Sequence, residues 1–549
     1  MASTQDEKPL GSHMSSGKSA VAAQPSRWNT PEFYFYYVVF VFMVPYMFYV
    51  AHGVSKETNP HYVEYEHLLE DGWIFDRKVD NSDAQYASFR DNVPKLIPLA
   101  FVFVAINRWL SHAQETAAQR LLRLAALSLI ILFGLHGTSA LKILVIVTLS
   151  YSIAKVTGAS YWNPILTWTF NLGILFLNEW QNGYEFGAIS PGLGWLDEYG
   201  GALRRWHILF KFVMLRLISF NMDYYWQAQK PRSEYKKNDD DLMSLTDRDR
   251  IDIPCKPEDY NYVAFLAYIL YTPLYLSGPI LSFNDFISQM YVRSANISRR
   301  FVMLYAIRFV AVLLTMEIML HYIYVVAISK TKAWAGDTPL ELSMIGYFNL
   351  TIIWMKLLLP WRFFRLWALA DGVWTEENMV RCMSNNFSAQ RFWKSWHRTF
   401  NRWLIRYVYV PLGGSKYFAY NMWIVFTFVA LWHDIELRLI AWGWLICLFL
   451  LPEIIASYLF SYKKYGNKPY YRFVCGLGAV ANILMMMIAN LVGFCVGLDG
   501  MRDMLVNIFG TTDGLFFLLS VGATLFVGVQ VMFELRESEK RRGDKRYLM

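Results

Sequence analysis

Two histidines, His397 and His433, stand 36 positions apart in a stretch that can do proton chemistry beside hydrocarbon. His397 lies in RFWKSWHRTFNRWLIRYVY, a belt of Trp, Arg and Lys, while His433 follows a dozen mostly apolar residues, Asn421 to Trp432. Imidazole exchanges its proton near neutral pH. An ionisable group at membrane depth is costly unless it has a partner or a task, which makes His433 the first functional candidate. Between the two lies PLGGS, whose glycines break the helix; a turn is the simplest account, and backbone N–H groups there are open to an anion.

Around these residues the chain is strongly apolar. Of its 549 residues, 55% are hydrophobic and 17% aromatic against 17% charged, well outside the soluble average. Apolar runs recur from Phe33 to Phe533 and leave no soluble stretch long enough for a core of its own. The composition therefore predicts an all-α, polytopic integral membrane protein with about ten to twelve transmembrane helices plus re-entrant or interfacial ones. Residues 31–535 are expected to form a single membrane domain, preceded by a disordered polar tail (1–30) and followed by a basic cytosolic tail (536–549). The net charge of +8, from 52 basic and 44 acidic residues, suits basic loops against anionic lipid and gives no nucleic-acid footprint.

Five cysteines, Cys255, Cys382, Cys447, Cys475 and Cys495, are scattered without CxxC or metal-ligand spacing, so neither a disulfide framework nor a metal site is expected. The N-terminus lacks the pattern of a removable signal peptide, which leaves targeting to the first span. His136, in a short polar break, is expected to be a hydrogen-bonded interfacial histidine.

Several stretches between spans carry specific expectations. WHILFKFVMLRLISFNMDYYW, with Lys211 and Arg216 in its apolar run, reads as an interfacial or re-entrant helix whose basic residues snorkel. The charged stretch to Tyr260 reads as a solvated loop. In YTPLYLSGPILSFNDF, Pro273, Gly278 and Pro279 interrupt an apolar run, and irregular backbone there needs protein or a water-filled cavity beside it. Arg362 and Arg365, among Trp361, Phe363, Phe364 and Trp367, read as a membrane anchor. Arg398, Arg402 and Arg406 step by four, which would align a basic stripe on one helix face at headgroup level. Three N-x-S/T sequons, at Asn296, Asn349 and Asn386, are too short a pattern to establish glycosylation. No internal repeat is present, which speaks against a secondary transporter built from paired broken helices.

SWHRTFNRWLIRYVYVPLGGS, followed about 20 residues later by ALWHD and preceded by SGPILSFNDF, resembles the membrane-bound O-acyltransferase family over roughly residues 90–535. The resemblance implies a multi-pass enzyme of the endoplasmic reticulum membrane, with the plasma membrane as an alternative. It implies transfer of a long or very long acyl chain from acyl-CoA, a co-substrate, to a hydroxyl, with no cofactor. The fungal members it most resembles act in remodelling the glycosylphosphatidylinositol anchor, so the implied partners are membrane lipid and a lyso-anchor lipid or anchored protein, met by a monomer or homodimer. The family's near-invariant histidine falls on His433, and its second polar residue, Asn, Asp or His in different members, falls on His397.

The chemistry agrees. A lipid hydroxyl needs a base to take its proton as it attacks a thioester, and a histidine suits that task, so His433 is the expected general base. His397 is open to three roles: orienting the donor, polarising the thioester carbonyl, or sharing the proton. Trp396, Arg398, Asn401, Arg402, Trp403 and Arg406 around it, with Trp432 and Asp434 beside His433, are the expected substrate contacts, the basic ones toward the CoA phosphates. The competing readings are a glycerol or proton transporter with His433 in its path, a protein acyltransferase of the Hedgehog type, and a non-catalytic lipid-binding relative.

Overall fold

A computed structural model describes residues 23–112, 114–229 and 247–544. Eight of its helices are long and apolar enough to cross a membrane. They are α1 (Pro31–Val54), α3 (Ala117–His136), α4 (Ser139–Thr157), α10 (Arg299–Tyr322), α12 (Pro339–Asp371), α16 (Leu437–Leu459), α17 (Tyr471–Phe494) and α19 (Thr512–Arg541). Three more, α2 (Ala84–Trp109), α5 (Trp162–Trp180) and α6 (Trp206–Ala228), have the length but a more polar sequence. Their outward faces are bare hydrocarbon: Val41 and Phe42 of α1 are 68% and 70% exposed, as side chains against lipid are. A two-stranded ribbon, β1 (Glu70–Asp71) antiparallel to β2 (Lys78–Val79), folds the loop after α1.

Local chemistry sets the helix ends. Thr116 and Gln119 cap the start of α3 reciprocally, and Thr338 and Glu341 do the same for α12, where Pro339 occupies the first turn. Asp83 caps α2, so that helix begins at Ala84, nine residues before Val93 opens its apolar run.

The segment at Pro273 is broken into α7 (Tyr262–Leu270), α8 (Thr272–Ser277) and α9 (Phe283–Tyr291). Carbonyls freed by such a break must find donors. Arg216 supplies them: its buried guanidinium donates to the carbonyls of Ile269 at 2.9 Å and Tyr268 at 3.4 Å. This corrects the interfacial reading of α6. From Val213 to Asp223 every residue of that helix is buried, and it runs through the middle of the protein. Arg216 answers the orphan carbonyls of a neighbour; it does not snorkel to water.

Arg362 and Arg365 are likewise internal. Arg365 donates to the Thr375 carbonyl at 2.9 Å and lies over the Tyr305 ring, and both arginines meet Glu377. They tie α12 to the chain that follows it, so the expected membrane anchor is an ion-pair network. His136 is hydrogen-bonded as expected, with Nδ1 on the Leu203 carbonyl at 3.0 Å and Nε2 on the Tyr275 hydroxyl at 2.7 Å, but it is buried inside the protein and not interfacial.

Other helices that bear on the site are α11 (Val325–Thr331), α13 (Ala389–Ser395), α14 (Arg398–Leu404), α15 (Phe418–His433) and α18 (Gly497–Gly510). The basic segment from residue 536 begins inside α19, where Arg536 is buried and Arg381 holds Glu539 through two bonds of 2.7 and 2.8 Å. The Gln24 amide donates to Glu537, so both ends of the described chain lie on one side. Residues 1–22 of the polar tail and 230–246 of the charged loop lie outside the described residues.

Candidate active site

A single cavity of about 2200 Å³ runs through the helices, with walls from α1, α2, α6, α12, α15, α17, α18 and α19. Pockets for small ligands rarely exceed ~1,000 Å³. This one has room for a chain-bearing lipid, and among the described residues it takes in both histidines.

His397 stands where a helix is interrupted. α13 ends at Ser395, Trp396 is extended, and His397 takes a left-handed conformation with φ of 43° before α14 starts at Arg398. Chain from a distant segment pins both sides of the break. The Arg398 amide donates to the Asn378 carbonyl at 2.9 Å, the Thr399 hydroxyl to the Asn378 side chain at 2.6 Å, and the Val380 amide to the Ser395 carbonyl at 3.2 Å. The His397 ring stacks on Trp361 of α12 at 4.2 Å between centroids, with Phe400 at 5.0 Å. The residue is buried, lines the cavity, and leaves Nε2 without a hydrogen-bond partner among the described residues. A buried imidazole nitrogen left open beside a cavity can receive a ligand's polar atom.

His433 is the last residue of α15. It is accessible, and what it is accessible to is the same cavity. Its backbone carbonyl, one of the orphans at a helix end, accepts from Lys211 Nζ at 2.9 Å. In return the Trp432 indole donates to the Lys211 carbonyl at 3.0 Å. Trp432 lies beside both imidazoles, 5.0 Å from His433 and 6.2 Å from His397, and Trp442 closes the far side of His433 at 6.1 Å. Lys211 also meets Glu179 at 3.2 Å and Asp434 at 3.9 Å.

The expected substrate contacts divide in two. Trp396, Asn401 and Trp432 line the cavity with the histidines; Arg398, Arg402, Trp403, Arg406 and Asp434 do not. Arg398 and Arg402 share Glu376, and Arg406 pairs with the buried Asp223 and with Asp252, each at 3.0 Å. The Trp403 indole donates to the Leu215 carbonyl at 2.9 Å. The uninterrupted basic stripe is corrected as well. A π-helical turn over Ile405–Tyr409 follows α14, and Arg406, which lies in it, pairs with Asp223 of α6 while Arg398 and Arg402 hold Glu376. PLGGS forms the expected turn, with Gly413 and Gly414 at φ of 91° and 56°.

Trp361, Asn378, Lys211 and Glu179 were not among the residues the sequence placed at the site. Lys211 alone gave a signal, as a charge inside an apolar run; the others are ordinary residues until the fold brings them to the histidines.

Comparison with known proteins shows the family of the chain. Residues 156–498 match the family model for the membrane-bound O-acyltransferase family. The chain is similar to Membrane-bound O-acyltransferase GUP1 of Candida tropicalis, 48% identical over 94% of this chain and 89% of that protein. Similarity to the GUP1 protein of Saccharomyces cerevisiae is 46% over 96% of this chain and 94% of the relative. A more distant likeness, 28% identical over 34% of this chain and 38% of the relative, is to mouse Protein-cysteine N-palmitoyltransferase HHAT. The family match contains both His397 and His433.

Proposed function

The chain belongs to the membrane-bound O-acyltransferase family and is an acyltransferase, and from that premise we propose that it moves a long fatty acyl chain from acyl-CoA to the hydroxyl of a lyso-lipid of the glycosylphosphatidylinositol anchor, in the endoplasmic reticulum membrane. The observation that carries this reading is that both histidines open on one lipid-sized cavity.

In this mechanism the acceptor hydroxyl lies against His433. The ring takes the hydroxyl proton as the oxygen attacks the thioester carbonyl carbon, the carbon–sulfur bond breaks, and the proton passes to the departing thiolate to leave an ester and free CoA. His397 Nε2, open and buried, is a donor for the oxygen that gains charge in the tetrahedral state. Stacking on Trp361 fixes the ring plane before substrate arrives. The mostly apolar walls disfavour water, which would otherwise hydrolyse the thioester.

The test is acyl transfer in microsomes lacking the host enzyme, supplied with labelled long-chain acyl-CoA and lyso-anchor lipid. Wild type should label the anchor lipid, and His433→Ala at equal expression should lose roughly a hundredfold or more, the usual contribution of a general base. Equal labelling by both would remove His433 from the chemistry. Label on a polypeptide would favour protein acylation, in line with the distant palmitoyltransferase similarity; glycerol flux surviving in the variant without any labelling would favour transport.

A further inference from the structure

The walls of the cavity carry no carboxylate and five cations: Lys95, Arg204, Arg205, Lys356 and Lys394. Lys356 is held by Asp83 at 2.6 Å. The other four are exposed and make no ion pair or side-chain hydrogen bond among the described residues. Charge of one sign on low-dielectric walls concentrates the potential inside and draws in an anion. A neutral acceptor would gain nothing from it.

Arg204 and Arg205 are the two that stand together, and the loop bearing them is fixed. The Ala202 and Leu203 amides donate to the Gly134 and Leu135 carbonyls at 3.2 and 2.6 Å, and His136 holds the Leu203 carbonyl from the other side. At Gly201 a side chain would run into the Leu135 backbone, so only glycine allows this approach. Arg205 is also the residue at which α6 begins, without a side-chain cap, which adds the positive end of a 23-residue helix. Trp180, Trp195 and Tyr199 stand exposed on the preceding segment, as an interfacial aromatic belt does. Lipid phosphates lie at that depth. Six residues further along α6, about 9 Å at helical rise, Lys211 holds the carbonyl of His433.

We propose that Arg204 and Arg205 form a site for the phosphodiester of an anionic lipid acceptor, holding its headgroup at the cavity mouth while its hydroxyl reaches toward His433. A guanidinium fork matches the geometry of phosphate oxygens, and two adjacent residues supply one each. The proposal rests on the reading of the acceptor as a lyso-lipid. The phosphates of the donor are the other source of the same chemistry, and kinetics separates the two.

The experiment uses purified full-length protein in nanodiscs and the double variant Arg204→Gln/Arg205→Gln, with lysophosphatidylinositol and monoacylglycerol as charged and neutral acceptors. The double variant should raise KM for lysophosphatidylinositol about tenfold or more, equivalent to about 1.4 kcal/mol. KM for acyl-CoA and turnover of monoacylglycerol should stay within twofold. Arg204→Lys/Arg205→Lys should recover part of the loss, which guards against misfolding of the Gln variant. A rise confined to acyl-CoA, or equal loss with both acceptors, would overturn the assignment. Direct binding of radiolabelled lysophosphatidylinositol separates the site from the reaction. Tenfold weaker binding by the double variant supports the site even if no acyl transfer is seen, a result that would count against the proposed function alone. No binding by wild type, or equal binding by both, would refute the site.

Discussion

Lys211→Met removes one ammonium and little else. The methionine keeps most of the unbranched stem, so packing along α6 is nearly conserved, while the donor that meets the His433 carbonyl at 2.9 Å is gone. Lys211 is mostly buried, with its side chain 18% exposed, and a hydrogen bond from a charged group in such a setting is worth roughly 1.5–3 kcal/mol. Part of that loss goes to stability, because Glu179 and Asp434 are left without the cation between them. The rest frees the end of α15 and lets the His433 ring leave its position between Trp432 and Trp442. If about 2 kcal/mol of transition-state alignment is lost, kcat falls roughly thirtyfold. Initial rates should show that fall with KM for acyl-CoA within threefold of wild type, and Lys211→Arg should restore most of it. A melting temperature lowered by the Met substitution with kcat unchanged within twofold would refute the argument: Lys211 would then hold the fold and not the orientation of His433.

Three other perturbations test separate parts of the structure. Trp361→Ala removes the ring stacked on His397 and should cost ~3–5 kcal/mol of stability together with most of the acyl transfer, whereas Trp361→Phe keeps a platform and should retain both in part, read by thermal melting and initial rates. Asp223→Asn leaves Arg406 with the more exposed Asp252 as its remaining carboxylate and weakens the buried network with Tyr407, a loss of ~1–3 kcal/mol that should appear as a lowered melting temperature. Asn349 and Asn386 are buried, the first with its amide on Val325 and Ser329, so treatment with an N-glycosidase should release nothing from either position.

Much of the helical frame was legible because an apolar run of membrane length has few other uses, and the runs that recur from Phe33 to Phe533 became helices such as Pro31–Val54 and Pro339–Asp371. The break at Pro273 and Gly278 was legible for the same reason, and Leu276 and Ser277 beside it line the cavity. Charges inside those runs were not. Arg216 looks like a snorkelling residue until α7 is seen to end at Leu270 with two carbonyls to satisfy. Arg398, Arg402 and Arg406 look like a phosphate-binding stripe until Glu376, Asp223 and Asp252 are found opposite them. Asp223 lies 183 positions away from Arg406, and no periodicity reports a contact of that range. Conversely, Arg204 and Arg205 drew no notice in a stretch rich in Gly and Pro, because what distinguishes them is the lack of an ion-pair partner among the described residues, a property of space and not of sequence.

The left-handed backbone at residue 397 limits the alphabet available there. With a φ of 43°, a side chain with a β-carbon crowds its own carbonyl, and Asn, Asp and His are the residues other than glycine that most often accept this. These are the same three types that the family resemblance puts at this position. Chemistry and conformation therefore ask for the same letters, and which of them dictated the choice is a question that His397→Ala confounds, since alanine loses the ring and adds a conformational penalty of about 1 kcal/mol. His397→Asn keeps the backbone comfortable and retains a polar tip while discarding the imidazole, and so isolates what the ring itself contributes.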